Sequence, residues 1–334
     1  MSHYHYHEIE AANPAECGHA LGKLFGPIIR DYIEHGRECK SWRDCKARAK
    51  VLLSLTARHF PSYIDELSAY AAGAGVELLD LWTISIEDEL VHRAEEKCTT
   101  VVTNSGLLIA HNEDWSEDAV EDICILKKRT GTTTTLELYY YGCPLGGTAL
   151  SICSNGYVQA VNSLSPSHWC TGVPKTILAR RFSEIKNVHA ESSAILSIPR
   201  SSGFAHNLVA RSGDLTVIEC NARRHAIYCP EIPFVHTNHA LHAELVSHDT
   251  VRHGTLRRYQ AAKRAVEPLM NRGSLLRLMG DTSCGRGTSI FNENTIAQAV
   301  VDLERRVASF WLKREREKGW IDYSIDFLFE TGEP

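Results

Sequence analysis

Cys98 is the residue whose surroundings suggest covalent chemistry most directly. It opens a run of β-branched residues, Thr-Thr-Val-Val-Thr at positions 99–103, which predicts a strand. Deprotonated thiols are strong nucleophiles. If the peptide bond between Lys97 and Cys98 were cleaved, Cys98 would also carry an α-amino group. The reference pKa of that group, about 7.7–8.0, suits a general base near neutral pH. One residue would then supply both the nucleophile and the base.

A predicted hairpin brings carboxylates towards this cysteine. The segment Asn-Ser-Gly at 104–106 predicts a turn, and the apolar run at 107–110 predicts the returning strand. With a two-residue turn, Cys98 is expected opposite Glu113, with an amide and a second carboxylate, Asp114, directly beside it. A slip of one residue in the register stays open. Asp114 is the group that we expect to orient the new ammonium of Cys98.

The elements that must position this hairpin change character near residue 97. Before it the pattern is helical: apolar residues recur every fourth position at Leu78, Trp82, Ile86 and Leu90. After it, strand patterns dominate, and they are predicted at 136–141, 157–162, 207–210, 215–219, 295–301 and 307–312. Helices are predicted again at 175–186 and 256–269. This order favours an α+β fold with layered, largely antiparallel sheets.

Composition limits the classes of function. The 334 residues carry a net charge of −5, with 43% hydrophobic and 23% charged residues, which is typical of a globular protein. No sustained basic block predicts nucleic-acid binding. No window approaches the ~18–20 consecutive apolar residues of a membrane span. Eleven cysteines cannot all be paired, so we expect mostly free thiols and a reducing, cytoplasmic location.

Several stretches together resemble a known enzyme family. Cys-Thr-Thr at 98–100, preceded by Glu-Lys, and Gly-Leu-Leu-Ile-Ala-His-Asn-Glu-Asp-Trp at 106–115 resemble the isopenicillin-N acyltransferase (acyl-CoA:6-aminopenicillanic acid acyltransferase) family. These are N-terminal nucleophile hydrolases of the cysteine branch, more distantly similar to bile-salt and penicillin V hydrolases. The stretches 156–164, 236–239 and 257–259 also look like segments of that family.

The resemblance covers most of the chain and implies an architecture. It implies a four-layer αββα sandwich of two antiparallel sheets, preceded by a helical propeptide-like segment. It also implies autocatalytic cleavage between Lys97 and Cys98, followed by acyl transfer through a thioester. We therefore divide the chain into a helical leader, residues 1–97, and a catalytic domain, residues 98–334.

Site residues follow from the resemblance position by position. It implies that Cys98 is the nucleophile and that Asp114 lies near its amine. Asn207 is the candidate oxyanion-hole donor, because an amide N–H can stabilise a tetrahedral oxyanion by about 3–4 kcal/mol. Three further residues are predicted to contribute to the substrate pocket: His111, Asn162 and Arg258.

Two positions depart from the pattern of the family. Bile-salt hydrolases have arginine where this chain has His111, so their recognition of a substrate carboxylate is not transferred here. The fungal acyltransferase has glycine before the nucleophile, whereas this chain has Lys97. The larger side chain is expected to alter or slow self-cleavage.

The sequence therefore favours an enzyme that hydrolyses linear C–N amide bonds or transfers an N-acyl group. We expect a self-cleaving N-terminal-cysteine amidohydrolase or acyltransferase, made as a zymogen, that acts on a small N-acylated amine, amino acid or peptide. Hydrolysis is favoured because no feature demands a coenzyme A site, although an acyl-CoA donor stays open. No cofactor and no metal are expected. The cleaved chains are expected to remain associated, and a homo-oligomer stays open.

Two other classes of function compete with this interpretation. His236, His239 and His242 recur at intervals of three, which on a helix would align them as ligands of a metal-dependent hydrolase. However, prolines precede the segment, so a strand followed by a loop is expected there. A catalytically silent family member that acts as a binding protein is the second alternative. It would show neither cleavage at Lys97 nor labelling of the Cys98 thiol.

Overall fold

The computed structural model describes residues 5–91, 97–165 and 168–330. The expected change from helices to strands near residue 97 is present in them. The α-helices are α1 Pro14–Glu38, α2 Trp42–His59, α3 Pro61–Ala74, α4 Leu78–Ser85, α5 Glu87–Val91, α6 Lys175–Ser183, α7 Val188–Leu196, α8 Ala243–Val246, α9 His253–Ala265 and α10 Arg272–Met279. The strands are β1 Tyr6–Ala11, β2 Lys97–Thr103, β3 Leu108–Asp114, β4 Ile123–Thr130, β5 Thr133–Tyr140, β6 Leu150–Cys153, β7 Tyr157–Ser163, β8 Phe204–Ala210, β9 Leu215–Cys220, β10 His225–Tyr228, β11 Phe234–His236, β12 Thr295–Asp302, β13 Val307–Leu312 and β14 Ile321–Ser324.

The strands form two sheets. The eight-stranded sheet has the order β1-β4-β5-β6-β7-β8-β9-β10, and the six-stranded sheet has the order β11-β2-β3-β12-β13-β14. All neighbours pair antiparallel except β1 and β4, which are parallel. β1 adds one strand to the helical leader, and its parallel pairing is the exception in two otherwise antiparallel sheets. β1 was missed because its sequence, YHEIEA, is a short polar edge strand without a clear apolar face.

Three buried clusters define four layers. Helices α1–α7 pack on the outer face of the eight-stranded sheet, where Phe25 of α1 stacks on Tyr139 of β5. Between the two sheets lies a second core, which includes Ile109 of β3 and Leu138 of β5. Helices α9 and α10 cover the outer face of the six-stranded sheet. The predicted αββα sandwich is confirmed.

Two helices of the leader pack closely against each other. In α1, a Cβ on Gly22 would lie 2.1 Å from the carbonyl oxygen of Tyr70 in α3. A Cβ on Gly73 would lie 2.2 Å from the carbonyl oxygen of His19. Only glycine permits two helix backbones to approach so closely. None of the described helices, α1 included, is long and apolar enough to cross a membrane.

The β2–β3 hairpin has the predicted register. Cys98 pairs with Glu113, and the ladder ends at Thr103 and Leu108. Ser105 and Gly106 have φ values of 54° and 84°, so both central residues of the turn are left-handed. That backbone matches the twist of a tight hairpin, and Gly106 adopts it without strain.

Candidate active site

Side chains hold the main chain of Cys98 on both sides. The residue is buried near the start of β2, with 2% of its surface exposed. Its backbone nitrogen donates to Oδ1 of Asn238 at 2.8 Å, and its carbonyl oxygen accepts from Nη1 of Arg258 at 2.8 Å. Nη2 of Arg258 donates to the same Asn238 oxygen at 2.8 Å. The backbone of the residue that follows the predicted cleavage point is therefore held by an amide and a guanidinium.

Helix α9 supplies this support from a single face. Arg258 lies one turn after Thr255, so both side chains point the same way. The Thr255 hydroxyl accepts the backbone N–H of Asn238 at 2.7 Å. Asn238 also donates through Nδ2 to the carbonyl oxygen of Ser163 at 3.1 Å. The loop after β11 is thereby anchored beside Cys98.

The thiol faces a carboxylate on the opposite side of the hairpin. Because strand residues alternate between faces, Cys98 shares a face with Glu113 and His111. The thiol donates to Oε2 of Glu113 at 3.7 Å, and the same oxygen lies 2.7 Å from Nε2 of His111. The Tyr140 hydroxyl donates to Oε1 of Glu113 at 2.8 Å. All three site residues are almost fully buried.

A chain of hydrogen bonds continues from His111 into the eight-stranded sheet. Nδ1 of His111 lies 2.9 Å from the hydroxyl oxygen of Thr100, which donates to Oδ1 of Asn162 at 2.8 Å. Nδ2 of Asn207 donates both to that Asn162 oxygen at 2.8 Å and to the carbonyl oxygen of Ala160 at 2.9 Å. The network therefore joins β2 and β3 of one sheet to β7 and β8 of the other.

The two asparagines differ in the hydrogen atoms that they have left to donate. Both amide hydrogens of Asn207 are committed, so none is available for an oxyanion. Nδ2 of Asn162, in contrast, is buried and has no hydrogen-bond partner among the described residues. An unsatisfied buried donor costs about 1–3 kcal/mol. Of the two asparagines, Asn162 therefore has an amide hydrogen left for an oxyanion, whereas Asn207, for which we predicted that role, has none in this geometry.

Asp114 lies on the other face of the hairpin, away from the thiol. Its carboxylate accepts from Nδ2 of Asn292 at 2.9 Å and from the Thr295 hydroxyl at 2.6 Å. Nη1 of Arg258 is 3.9 Å from Oδ2 of Asp114. Burial raises the pKa of Asp114 to about 6, although Arg258 and the two hydrogen bonds oppose the shift. Burial also lowers the pKa of Arg258. Asp114 is therefore linked to the backbone of Cys98 indirectly, through Arg258.

The histidines proposed as metal ligands are engaged separately. Nε2 of His236 lies 3.0 Å from Oε1 of Glu219, and His239 contacts the Thr237 hydroxyl at 3.1 Å. His242 caps the start of α8. Burial lowers the pKa of His239 to about 4. The segment forms a strand and a loop, and these side chains do not make a ligand cluster within the ranges that the structure covers.

Three side chains of types that can bind a metal ion lie close together elsewhere in the part of the chain that the structure describes. Sγ of Cys98, Nε2 of His111 and an oxygen of Glu113 lie within 4.8 Å of one another, and they form the one such group there. Their mutual hydrogen bonds account for this closeness without an ion. We therefore treat the group as a proton-transfer arrangement.

Sequence reasoning missed one residue of this site and reached a second only in part. Asn238 stood within the His-Thr-Asn-His stretch, but the pattern did not distinguish it from the other asparagines. Glu113 was placed opposite Cys98 by the register, yet no role was assigned to it. For the predicted cleavage site, the backbone of Lys97 pairs with Asp114, while the Lys97 side chain and residues 92–96 lie outside the described part of the chain.

Comparisons with known proteins give one strong match. The family model described as acyl-coenzyme A:6-aminopenicillanic acid acyl-transferase matches residues 101–317, more than half of the chain. A search of curated protein sequences finds no match.

Similar solved structures are more distant. A mutant of conjugated bile acid hydrolase from Clostridium perfringens is 9% identical, with a TM-score of 0.44 over 70% of this chain and 93% of the hydrolase. Penicillin V acylase from Agrobacterium tumefaciens is 13% identical, with a TM-score of 0.44 over 65% of this chain and 83% of the acylase. The family assignment depends on the sequence match alone.

Proposed function

Because the chain belongs to the acyl-coenzyme A:6-aminopenicillanic acid acyl-transferase family of acyltransferases and amide hydrolases, we propose that it is a self-cleaving amidohydrolase or acyltransferase with Cys98 as its nucleophile. The observation that carries this proposal is the environment of Cys98. The thiol donates to a carboxylate, while side chains bind the nitrogen and the carbonyl of the same residue. The match to the family begins after Cys98, so the choice of nucleophile depends on this geometry.

In the mature chain the nitrogen of Cys98 would be a primary amine and could take the thiol proton. Asn238 would hold one of its N–H groups through the contact that now measures 2.8 Å. Arg258 donates a hydrogen bond to the same oxygen of Asn238. A guanidinium cation close to an amine disfavours the protonated form of that amine. The amine would therefore keep a lone pair available as the general base.

The acyl group of the substrate would form a thioester with Cys98. The tetrahedral intermediate that precedes it carries an oxyanion, which needs a donor in a buried site. Nδ2 of Asn162 is the buried donor without a partner in the described part of the network, so we assign this role to it. Thr100 and Asn207 fix the amide of Asn162 by hydrogen bonds to its oxygen. A fixed donor stabilises developing charge without reorganisation.

Asp114 supplies negative charge behind the main chain of Cys98. Its carboxylate balances Arg258, which in turn binds the Cys98 carbonyl oxygen. We propose that this pair positions the new N-terminus. The buried Asp114 carboxylate is ionised at the cost of stability, which is common at functional sites.

The leader, residues 1–97, is proposed to stay bound after cleavage. β1 forms the edge of the eight-stranded sheet, and apolar residues of α1–α5 belong to the same buried core as those of β4 and β5. Removing these helices would expose that core to water at roughly 25 cal/mol per Å². The residues 98–334 are proposed as the catalytic chain.

We also propose a reducing compartment, such as the cytoplasm, for this protein. None of the eleven cysteines, all of which lie in the described ranges, forms a disulfide. An oxidising compartment would favour pairing of exposed cysteines such as Cys39 and Cys229 between molecules.

Product analysis tests the proposed chemistry. Purified protein is offered a panel of N-acyl amino acids, N-acyl amines and small acyl peptides, with and without an added amine or an acyl-CoA thioester. Release of the free amine indicates hydrolysis, and a new amide indicates transfer, since both use one acyl-enzyme. Cys98→Ser is the control for background hydrolysis. Identical turnover by the parent and Cys98→Ser proteins would remove Cys98 from the reaction, and no turnover with no thiol labelling would favour a silent binding protein.

A further inference from the structure

The uncleaved chain needs a base that the mature enzyme does not. Before cleavage the nitrogen of Cys98 is an amide and donates its hydrogen to Asn238, so it cannot accept the thiol proton. The thiol nevertheless has an acceptor, Oε2 of Glu113 at 3.7 Å. We propose that Glu113 and His111 together are the base that activates Cys98 for self-cleavage. This inference rests on the proposed function, because it concerns the maturation of the same nucleophile.

The hydrogen atoms in the network can be assigned from one fixed acceptor. The carbonyl oxygen of Ala160 only accepts, so the atom of Asn207 beside it is the amide nitrogen. The second hydrogen of that nitrogen points to Asn162, whose facing atom must be its oxygen. That oxygen also only accepts, so Thr100 donates its single hydroxyl hydrogen to it.

This assignment fixes the tautomer of His111. With its hydrogen committed, Thr100 can only accept at the 2.9 Å contact, so Nδ1 of His111 carries a hydrogen. In a neutral imidazole, Nε2 then presents a lone pair towards Oε2 of Glu113, which is 2.7 Å away. Two acceptors at that distance repel unless a proton lies between them. The pair therefore needs one more proton.

The thiol of Cys98 is the donor directed at this pair. Transfer of its proton to Oε2 of Glu113 leaves a thiolate and places the proton between Oε2 and Nε2 of His111. The total charge of the three groups is the same before and after the transfer. Separating new charge in a buried site is costly, and this transfer avoids it. The Tyr140 hydroxyl holds the other oxygen of Glu113 in place.

The cleavage step balances with these groups alone and water. The thiolate attacks the carbonyl carbon of Lys97, and the bond between that carbon and the nitrogen of Cys98 breaks. The nitrogen leaves as an amine and takes the proton held by Glu113 and His111. Water then hydrolyses the Lys97 thioester, which releases the leader carboxylate and restores the thiol. Thr100, Asn162 and Asn207 act as positioning residues for His111.

The test uses the full-length chain made by cell-free synthesis, followed in time. Two rates are measured by mass spectrometry: cleavage at the Lys97–Cys98 bond, and alkylation of Cys98 by iodoacetamide in the uncleaved fraction. Glu113→Gln keeps the shape of the side chain but removes the acceptor charge. It should slow cleavage about 100-fold, as for loss of a general base, and slow alkylation at least about 10-fold. Glu66→Gln is the matched control, since Glu66 is also buried but lies in α3, in the helical layer.

A second variant guards against a folding defect. Thr100→Val removes the acceptor for Nδ1 of His111 and leaves Glu113 intact, and it should also slow both rates at least about 10-fold. If the parent cleaves and both variants keep the parental rates, the inference is overturned while the proposed function stands. If the parent never cleaves but its Cys98 alkylates faster than in Glu113→Gln, Glu113 and His111 activate the thiol, but their proposed role in self-cleavage is overturned. Cys98 that alkylates equally slowly in all proteins overturns the inference.

Discussion

Asp114→Asn should make the protein more stable and less active at the same time. Burial raises the pKa of Asp114 from 3.8 to about 6, so the ionised carboxylate opposes folding. A shift of about two pKa units corresponds to roughly 3 kcal/mol at pH values above 6. The amide of asparagine carries no charge and escapes this cost, but it loses one acceptor for Asn292 or Thr295, worth about 1 kcal/mol. The net gain in unfolding free energy is expected to be about 1–2 kcal/mol.

The sign of this effect fixes its pH dependence. The pKa of Asp114 is higher in the folded state than in the unfolded state. Protonation of this carboxyl group therefore stabilises the folded protein, and ionisation removes that stabilisation. That contribution is complete below about pH 3.8 and is lost as the pH rises through about 6. The stability difference between variant and parent should therefore grow from pH 4 to pH 6 and then stay constant. Activity should show an acid limb near pH 6 in the parent only.

Urea unfolding and steady-state kinetics across this pH range test the argument. We expect kcat/KM to fall about 100-fold in the variant, as for loss of a preorganised charge. Asp322→Asn is the control, because Asp322 is exposed and pairs with Arg272 at the surface, where ion pairs contribute less than about 1 kcal/mol. An Asp114→Asn protein with parental kcat/KM, or with a stability change that does not vary with pH, would refute the reasoning.

Other consequences of the site are open to direct measurement. Cys98→Ala should persist as one chain without turnover, whereas Cys98→Ser should self-cleave slowly and turn over amides poorly, as intact mass and product analysis will show. Asn162→Ala should lower kcat about 10²–10³-fold with little change in KM, and an unchanged kcat would remove it from the oxyanion hole. Arg258→Lys should slow turnover at least about 10-fold, because lysine cannot bind the Cys98 carbonyl and Asn238 in one plane. Incubation with a chelator should leave activity unchanged, and a loss restored by zinc would reinstate a metal-dependent reaction.

The sequence was sufficient for the hairpin that carries the nucleophile. Its register follows from local rules, since Gly106 adopts the left-handed turn without strain and the strands alternate strictly. Helix α6 and the two strands of the late β12–β13 hairpin were likewise predicted from periodicity. β1 was not, because an edge strand with polar residues on both sides has no pattern to reveal it.

The contacts between sheets could not be read from the sequence. Thr100 meets Asn162 only because two sheets stack, and no local pattern records that alignment. The same holds for Asn238, which reaches Cys98 from the loop after β11. The sequence does not distinguish Asn207 from Asn162. In the structure, the amide hydrogens of Asn207 are engaged in hydrogen bonds, whereas Nδ2 of Asn162 has no partner among the described residues.

The central claim is that Cys98 becomes the N-terminal nucleophile of the working enzyme. Intact mass spectrometry with N-terminal sequencing, performed on protein shown to turn over an N-acyl substrate, tests it most directly. The account predicts two associated polypeptides, the larger of which begins at Cys98. Active protein that consists of a single chain, with Cys98 still joined to Lys97, would contradict it.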